Sequence, residues 1–158
     1  MENGEHSLRW GWTWWGHTPG PYSSSMIEIG NFNTIENFWR YWNNISPCTE
    51  YKRCTGYSLC LDHLTPLWEH EKNVDGFEFR IQNTEHWLNL VLGAIGGTLL
   101  PPSAPDNGIT VIRCLRGRVE IWYNKEVSVK ESLHILCKEL EISTADVTYL
   151  DHQLQKPT

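Results

Sequence analysis

Two apolar runs surround a glycine turn in the stretch ITVIRCLRGRVEIWY, residues 109–123. The runs 109–115 and 118–123 are rich in β-branched and aromatic residues, which favour strands. The Arg116-Gly117 link between them is typical of a β-hairpin. This stretch therefore predicts two adjacent antiparallel strands, and a sheet built largely from such pairs.

Alternation and turn signals predict five further strands. They are 8–15, 26–32, 57–61, 77–81 and 145–150. Several of these strands follow one another as hairpins, with helical segments between the pairs. This order predicts an α+β fold, a mostly antiparallel sheet with helices on one face.

Three helices are expected between the strands. The first begins after Thr34 as N-cap, and its apolar residues recur at helical spacing. They are Ile35, Phe38, Trp39, Trp42 and Ile45. The second helix begins near Thr84. The third opens with a capping box, Ser128-x-x-Glu131, and runs to about Leu140.

Composition predicts one soluble domain over residues 1–158, with 1–5 and 151–158 as tails. Apolar residues make up 40 %, within the globular range, and a long apolar run or leader peptide is absent from the sequence, so no membrane partner is expected. The formal charge of −6 disfavours binding along a nucleic-acid backbone such as DNA. It leaves recognition of a nucleic-acid end open, since that needs only a local basic cluster.

The five cysteines lie at least six residues apart and form no zinc-binding spacing. Reduced thiols and an intracellular protein are therefore expected. The nine Trp residues are more than a core needs with every N–H satisfied, so some are expected to be stacking surfaces or partner anchors.

Trp68-Glu69 is the pair with the most specific chemistry in the chain. An indole covers the face of a purine, while a carboxylate accepts hydrogen bonds from its edge. Both contacts strengthen when the base is cationic, through cation–π attraction and a charge-assisted hydrogen bond. The pair therefore suits 7-methylguanine, although a Trp beside a Glu in an arbitrary protein more often fills a core.

Seven motifs, in order along nearly the whole chain, decide between these readings. They are His6-x-Leu8-x3-Trp12-x2-Trp15, Thr34-Ile-Glu-Asn-Phe38-Trp39, Tyr57-Ser58-Leu59, Pro66-x-Trp68-Glu69-x-Glu71-Lys72-Asn73, Trp87-Leu88-x3-Leu92-x2-Ile95-Gly96, Ile121-Trp122 and His134-Ile135. Together they resemble the eukaryotic translation initiation factor 4E family of mRNA cap-binding proteins. The resemblance implies a curved antiparallel sheet, three long helices on its convex face and the cap slot on the concave side.

The resemblance also implies which residues form the cap slot. Trp68 matches one aromatic wall, and Glu69 the carboxylate that accepts from the guanine N1 and N2 edge. Tyr22 matches the opposite wall, usually a Trp in the family, with His17 as the alternative if the loop register differs. Trp122 matches a residue that contacts the N7 methyl group, although a Trp at a strand end also commonly serves packing.

Basic residues of the hairpin, Arg113, Arg116 and Arg118, are expected to bind the cap triphosphate. Strand alternation lets only one of Arg113 and Cys114 face the slot, and the sequence leaves that choice open. Glu78 stands where family members often have a basic residue, and would repel phosphate if it faced the slot. With Tyr22, this favours weaker affinity for a simple cap, or tuning to a modified one.

A second set of residues matches the family's dorsal surface, which receives a Tyr-x4-Leu-hydrophobic helix from a scaffold or repressor protein. The set comprises His6, Leu8, Ile35, Trp39, Leu88, Leu92 and Ile95. For Leu92 and Ile95, packing onto the sheet is as good an interpretation as a place on the partner-binding surface. Ser7 replaces a usual Pro and Asn89 a usual acidic residue, which favours a partner peptide with a different charge pattern.

The resemblance implies a cytoplasmic protein, with the nucleus left open, that binds capped mRNA and recruits a scaffold for translation initiation. The alternative is a cap-binding repressor or specialised paralogue with another partner. A cap-processing hydrolase using Glu69 and Glu71 is disfavoured, because the two lie in one short segment without a nucleophile–base pair or phosphate loop. A metal site is disfavoured because the histidines lie in unrelated segments, and no cofactor is expected.

Overall fold

The computed structural model describes residues 5–17, 26–44, 56–62, 64, 66, 73, 75–115 and 117–152. Its elements follow the expected order along the chain. They are β1 Ser7–His17, β2 Met26–Thr34, α1 Ile35–Trp42, β3 Gly56–Leu61, β4 Phe77–Gln82, α2 Trp87–Ile95, β5 Ile109–Leu115, β6 Arg118–Tyr123, α3 Val129–Leu140 and β7 Val147–Asp151. All seven predicted strands and all three predicted helices are confirmed.

The seven strands form one curved sheet in the order β2-β1-β3-β5-β6-β4-β7. Every adjacent pair runs antiparallel, which confirms the predicted α+β class. Side chains alternate between the two faces of each strand. One face packs against the helices in the main core, and the other carries a smaller cluster around Trp122. We call this second face the opposite face.

The helix-covered face is unusually aromatic. Trp14 is its centre, with ring centroids 6.2–6.4 Å from those of Phe32, Phe38, Trp42 and Trp87. This packing accounts for several of the nine Trp residues without a ligand. The indole N–H groups of Trp12 and Trp14 in this core are buried without a hydrogen-bond partner among the described residues, as is that of Trp15 on the opposite face. Buried indoles with unsatisfied N–H groups are therefore tolerated here, against the expectation from composition.

The helix starts show where local signals are reliable. Thr34 Oγ1 accepts from Asn37 N at 3.2 Å, which confirms the cap of α1. Ser128 likewise caps α3, but Glu131 accepts from Ser103 Oγ instead of completing the box. The prediction that α2 begins near Thr84 is wrong. Residues 83–86 form a turn, because Asn83 adopts φ +88° and its Oδ1 accepts from Glu85 N at 2.8 Å.

The cysteines depart from the expectation of reduced thiols. Cys60 and Cys137 are free, but Cys114 is disulfide-bonded. Spacing along the sequence does not predict a disulfide, because the pairing of cysteines depends on the fold. None of the helices in the described ranges is both long and apolar enough to cross a bilayer.

Candidate functional site

Trp122 is the centre of the cluster on the opposite face. Its neighbours across the ladder are Val111 on β5 and Glu78 on β4. The ring packs with Cys60, Val111 and the half-buried Trp15, and the His152 ring meets it edge-on at 4.8 Å between centroids. The indole is 1 % exposed, so its position is set by this packing.

Glu120 connects Trp122 to the basic residues around it. It lies two residues before Trp122 and is fully buried. Its Oε1 accepts from Trp122 Nε1 at 3.0 Å, and its Oε2 accepts from Arg118 Nε at 2.7 Å. The same carboxylate lies 3.6 Å from Arg80 Nε and 3.8 Å from an Nη atom of Arg113. One buried anion thus holds three guanidinium groups and an indole together.

The structure answers the question of whether Arg113 or Cys114 faces this cluster. Arg113 pairs across the ladder with Glu120, and its guanidinium carbon lies 5.2 Å from the centre of the Trp122 ring. Cys114 points into the helix-covered core. Alternation along β5 puts Arg113 on the same face as Trp122, and alternation along β6 does the same for Arg118. Three of the predicted site residues therefore share one face.

Glu78 also lies on the opposite face, but its charge is neutralised. Oε2 accepts from Arg80 Nε at 2.8 Å, and Oε1 lies 3.2 Å from His152 Nε2. Burial alone would raise the pKa of Glu78, yet the bonds from His152 and Arg80 outweigh burial and lower the pKa to about 2. The expected repulsion of phosphate is therefore offset by an arginine two residues further along the strand.

His152 is buried with an acceptor at each ring nitrogen. Nδ1 lies 2.7 Å from the backbone oxygen of Asn73, and Nε2 lies 3.2 Å from Glu78. A carbonyl oxygen and an ionised carboxylate only accept hydrogen bonds, so both partners of the His152 ring are acceptors.

His17 lies at the end of β1 and is buried, with Nε2 2.5 Å from Ser58 Oγ. Burial, followed by the nearby charge of Arg113, lowers the pKa of His17 to about 4. A buried, hydrogen-bonded ring is poorly placed to form a slot wall, so the geometry disfavours His17 as the alternative to Tyr22. Tyr22, Trp68, Glu69 and Arg116 lie outside the described residues.

The predicted partner surface is described throughout its length. Trp39 is 36 % exposed at the edge of α1, His6 is exposed, and Leu8, Ile35, Leu88 and Leu92 are half-buried. Ile95 does not belong to this surface. It is 2 % exposed, because α2 turns it toward the sheet and into the main core.

Three residues of the Trp122 cluster were not predicted from the sequence: Arg80, Glu120 and His152. A signal for Glu120 existed, because residues 118, 120 and 122 alternate with apolar ones and must share a face. Arg80 could be placed there only once β4 was known to pair with β6. A group of three metal-binding side chains does not occur within the described ranges.

Comparison with known proteins identifies the family. The sequence profile of eukaryotic initiation factor 4E matches residues 7–157. Eukaryotic translation initiation factor 4E-1 of Schizosaccharomyces pombe is 34 % identical over 134 residues, covering 76 % of this chain and 61 % of the relative. The 4E1 protein of Drosophila melanogaster is 27 % identical, covering 98 % of this chain and 64 % of the relative. The chain thus spans about three fifths of the length of these relatives.

Solved structures share the fold. A complex of C. elegans eIF4E-3 with the 4E-binding protein Mextli and a cap analog superposes with a TM-score of 0.83, at 21 % identity and 97 % coverage of both chains. Ascaris suum eIF4E-3 with an m2,2,7G cap gives a TM-score of 0.81 at 22 % identity, covering 98 % of this chain and 95 % of that one. The family profile matches nearly the whole chain and the fold agrees with it, so the chain belongs to the eukaryotic initiation factor 4E family.

Proposed function

We propose that the protein binds the 7-methylguanosine cap at the 5′ end of mRNA and is not an enzyme. The supporting observation is the Trp122 cluster, in which an indole and three arginines share one face around a buried carboxylate. Relatives of this fold have been solved with cap analogs. The cationic base would lie between Trp68 and Tyr22, and Glu69 would read its edge. Trp122, which is 1 % exposed, would support the site by packing.

The triphosphate half of the cap requires positive charge in the site that binds it. A cap carries a triphosphate, and a phosphate oxygen binds a guanidinium through short charge-assisted hydrogen bonds. Arg113 lies over the Trp122 ring and Arg118 binds Glu120. Three guanidinium groups face only two carboxylates within the described part of this cluster. The excess positive charge suits an anion, in a chain whose net charge of −6 would otherwise repel one.

A fluorescence titration with 7-methyl-GTP and with GTP tests this function. Stacking on a Trp should quench emission, and we expect at least tenfold preference for the methylated ligand, about 1.4 kcal/mol. Glu69→Ala should nearly abolish binding, while Glu126→Ala, which removes the same charge at an exposed turn, should leave it unchanged. Equal binding of GTP and 7-methyl-GTP would contradict cap recognition.

The same titration with a 2,2,7-trimethylguanosine cap analog tests whether the site prefers a modified cap over a simple one. The Ascaris suum relative is solved with that cap, and Tyr22 offers a smaller stacking surface than the usual Trp.

Incubation of pure protein with the cap analog should return it unchanged. A hydrolysed product would favour the enzyme reading instead.

The partner role belongs to the same proposal. Trp39 is exposed, and Leu8, Ile35, Leu88 and Leu92 are half-buried and pack against the main core. An aromatic anchor with apolar neighbours is what a helix-binding groove requires, and we assign these residues to it. The occupant would be a helix bearing Tyr-x4-Leu-hydrophobic from a scaffold or repressor. Relatives of this fold are solved with 4E-binding proteins.

A peptide carrying that motif should bind the wild-type protein and lose at least tenfold in affinity, about 1.4 kcal/mol, with Trp39→Ala. Tyr149→Ala provides the matched control, because Tyr149 is an exposed aromatic on β7, at the opposite edge of the sheet from β2. Equal loss in both variants would contradict the assigned surface. Capture of an initiation scaffold or of a repressor then separates the initiator from the specialised paralogue.

A further inference from the structure

Three arginines meet at one carboxylate on the opposite face, but the sequence pointed to only two of them. Arg80 lies on β4, directly across the ladder from Glu120 on β6. Arg113 lies across from Glu120 on its other side, and Arg118 precedes it by two residues on the same strand. Glu120 therefore has a basic residue on each of three sides of the sheet surface.

The way in which two of these arginines are held leaves their ends available. Arg118 donates its Nε to Glu120 at 2.7 Å, and Arg80 donates its Nε to Glu78 at 2.8 Å. Within the described ranges, no hydrogen bond engages an Nη atom of either side chain. A guanidinium has five N–H donors in a fixed fork, so a second anion can bind the Nη side while Nε keeps its carboxylate.

Exposure singles out the same two side chains. The Arg113 side chain is only 10 % exposed and lies over the Trp122 ring. The side chains of Arg118 and Arg80 are 33 % and 25 % exposed. Among the described arginines of this cluster, Arg118 and Arg80 thus have the more exposed side chains. Their Nε atoms lie 2.7 and 3.6 Å from the same oxygen of Glu120.

We propose that Arg80 is a phosphate-binding residue of this site: Glu78 holds Arg80 and Glu120 holds Arg118, so that both arginines present their Nη groups to the oligophosphate of a cap. The proposal rests on the proposed function and adds a residue to its site. Glu78 stands where family members often have a basic residue, and Arg80 supplies a cation close to that position. It can do so because side chains two residues apart on a strand share a face.

The test compares a ligand with phosphates and one without. Binding of 7-methylguanosine triphosphate and of the nucleoside 7-methylguanosine would be measured by calorimetry for wild type, Arg80→Gln, Arg80→Lys and Arg9→Gln. Arg9 is exposed on β1 and pairs with Asp106, so its substitution makes the same change in net charge away from the cluster.

We expect Arg80→Gln to weaken triphosphate binding about tenfold, roughly the effect of one charge-assisted contact, and nucleoside binding less than about twofold. Arg9→Gln should change either ligand less than about twofold, which separates a local contact from net charge. Arg80→Lys should stay within about threefold of wild type, because it keeps the cation but lacks the fork. Unchanged nucleoside binding also verifies that each variant is folded.

Three results would overturn the role of Arg80: a triphosphate affinity of Arg80→Gln equal to that of Arg9→Gln, equal losses for both ligands, or an Arg80→Lys variant as weak as Arg80→Gln. Failure of the wild-type protein to bind either methylated ligand would overturn the proposed function itself, and this inference with it. Normal wild-type binding with an unaffected Arg80→Gln would overturn the inference alone.

Discussion

The indole nitrogen of Trp122 donates a 3.0 Å hydrogen bond to the carboxylate of Glu120, two residues earlier on the same strand. The bond joins the apolar half of the candidate site to its charged half. It also makes a fully buried anion depend on its donors, because a buried charge is tolerated only when it is paired and hydrogen-bonded. Both the geometry and the stability of the site follow from this pair.

Replacing Glu120 by Ala should destabilise the protein strongly. The change leaves the Trp122 N–H and the Arg118 Nε without their acceptor, and breaking a buried charge network costs about 3–5 kcal/mol. Urea denaturation followed by Trp fluorescence measures the free energy of unfolding. Glu126→Ala, at an exposed turn, should change it by less than about 0.5 kcal/mol. A similar small effect at Glu120 would show that its contacts contribute little.

Glu78 should make stability sensitive to acid. Its pKa is about 2 in the folded protein, against an ordinary value of 4.5. Between those values the unfolded chain binds a proton that the folded chain does not, so the free energy of unfolding falls as pH drops from about 5 to about 2. Denaturation curves across that range should show this slope in the wild type.

Glu78→Gln should remove this part of the slope, because the group no longer titrates. Arg80→Gln, which deletes one of the two bonds that hold the pKa of Glu78 low, should give an intermediate slope. Parallel curves for the wild type and Glu78→Gln would contradict the assignment.

Protonation of His17 should control how the free energy of unfolding changes at higher pH. Its pKa is lowered from 6.5 to about 4 by burial and by Arg113. The unfolded chain therefore takes up a proton first, and stability should decrease as pH falls from about 6.5 to about 4. His17→Gln keeps a polar group near Ser58 and should flatten the curve there. His134→Gln, the same change on an exposed helix surface, is the control for loss of a histidine.

Two glycines should respond differently to the same substitution. A Cβ at Gly76 would overlap the carbonyl oxygen of Tyr123, so Gly76→Ala should force β4 away from β6, at a cost of about 3 kcal/mol or more. Gly117 has open space around it but a φ of +84°, so Gly117→Ala should cost only about 1–2 kcal/mol. Urea midpoints of the two variants test the order, and a larger loss at Gly117 would contradict it.

Element identity was predictable because each element carries its own local signal. The Arg116-Gly117 link between apolar runs predicted the β5–β6 hairpin, and Thr34 and Ser128 predicted the starts of α1 and α3. The start of α2 was misplaced because Asn83 forms a side-chain turn that competes with the helix. Local reasoning fails where two local structures compete for the same backbone groups.

The candidate site was predictable only in part. Motifs identify which residues belong to the site, but they do not show which way each side chain faces. Arg113, Arg118 and Trp122 were recognisable from the family resemblance, and the structure places them on one face. Ile95 was assigned to the partner surface but lies in the core, because one helix stripe offers both inward and outward positions.

The sequence alone determined the strands, the helices, the antiparallel character of the sheet and the family, since each depends on residues near one another in the chain. Only the tertiary structure decided that Arg113 and not Cys114 faces Trp122, that Cys114 is disulfide-bonded, and that Arg80 meets Glu120. These outcomes depend on the register of β5 and on the pairing of β4 with β6, which brings together Arg80 and Glu120 from positions forty residues apart. Alternation along a strand says which side chains share a face, but only strand pairing says which of them touch.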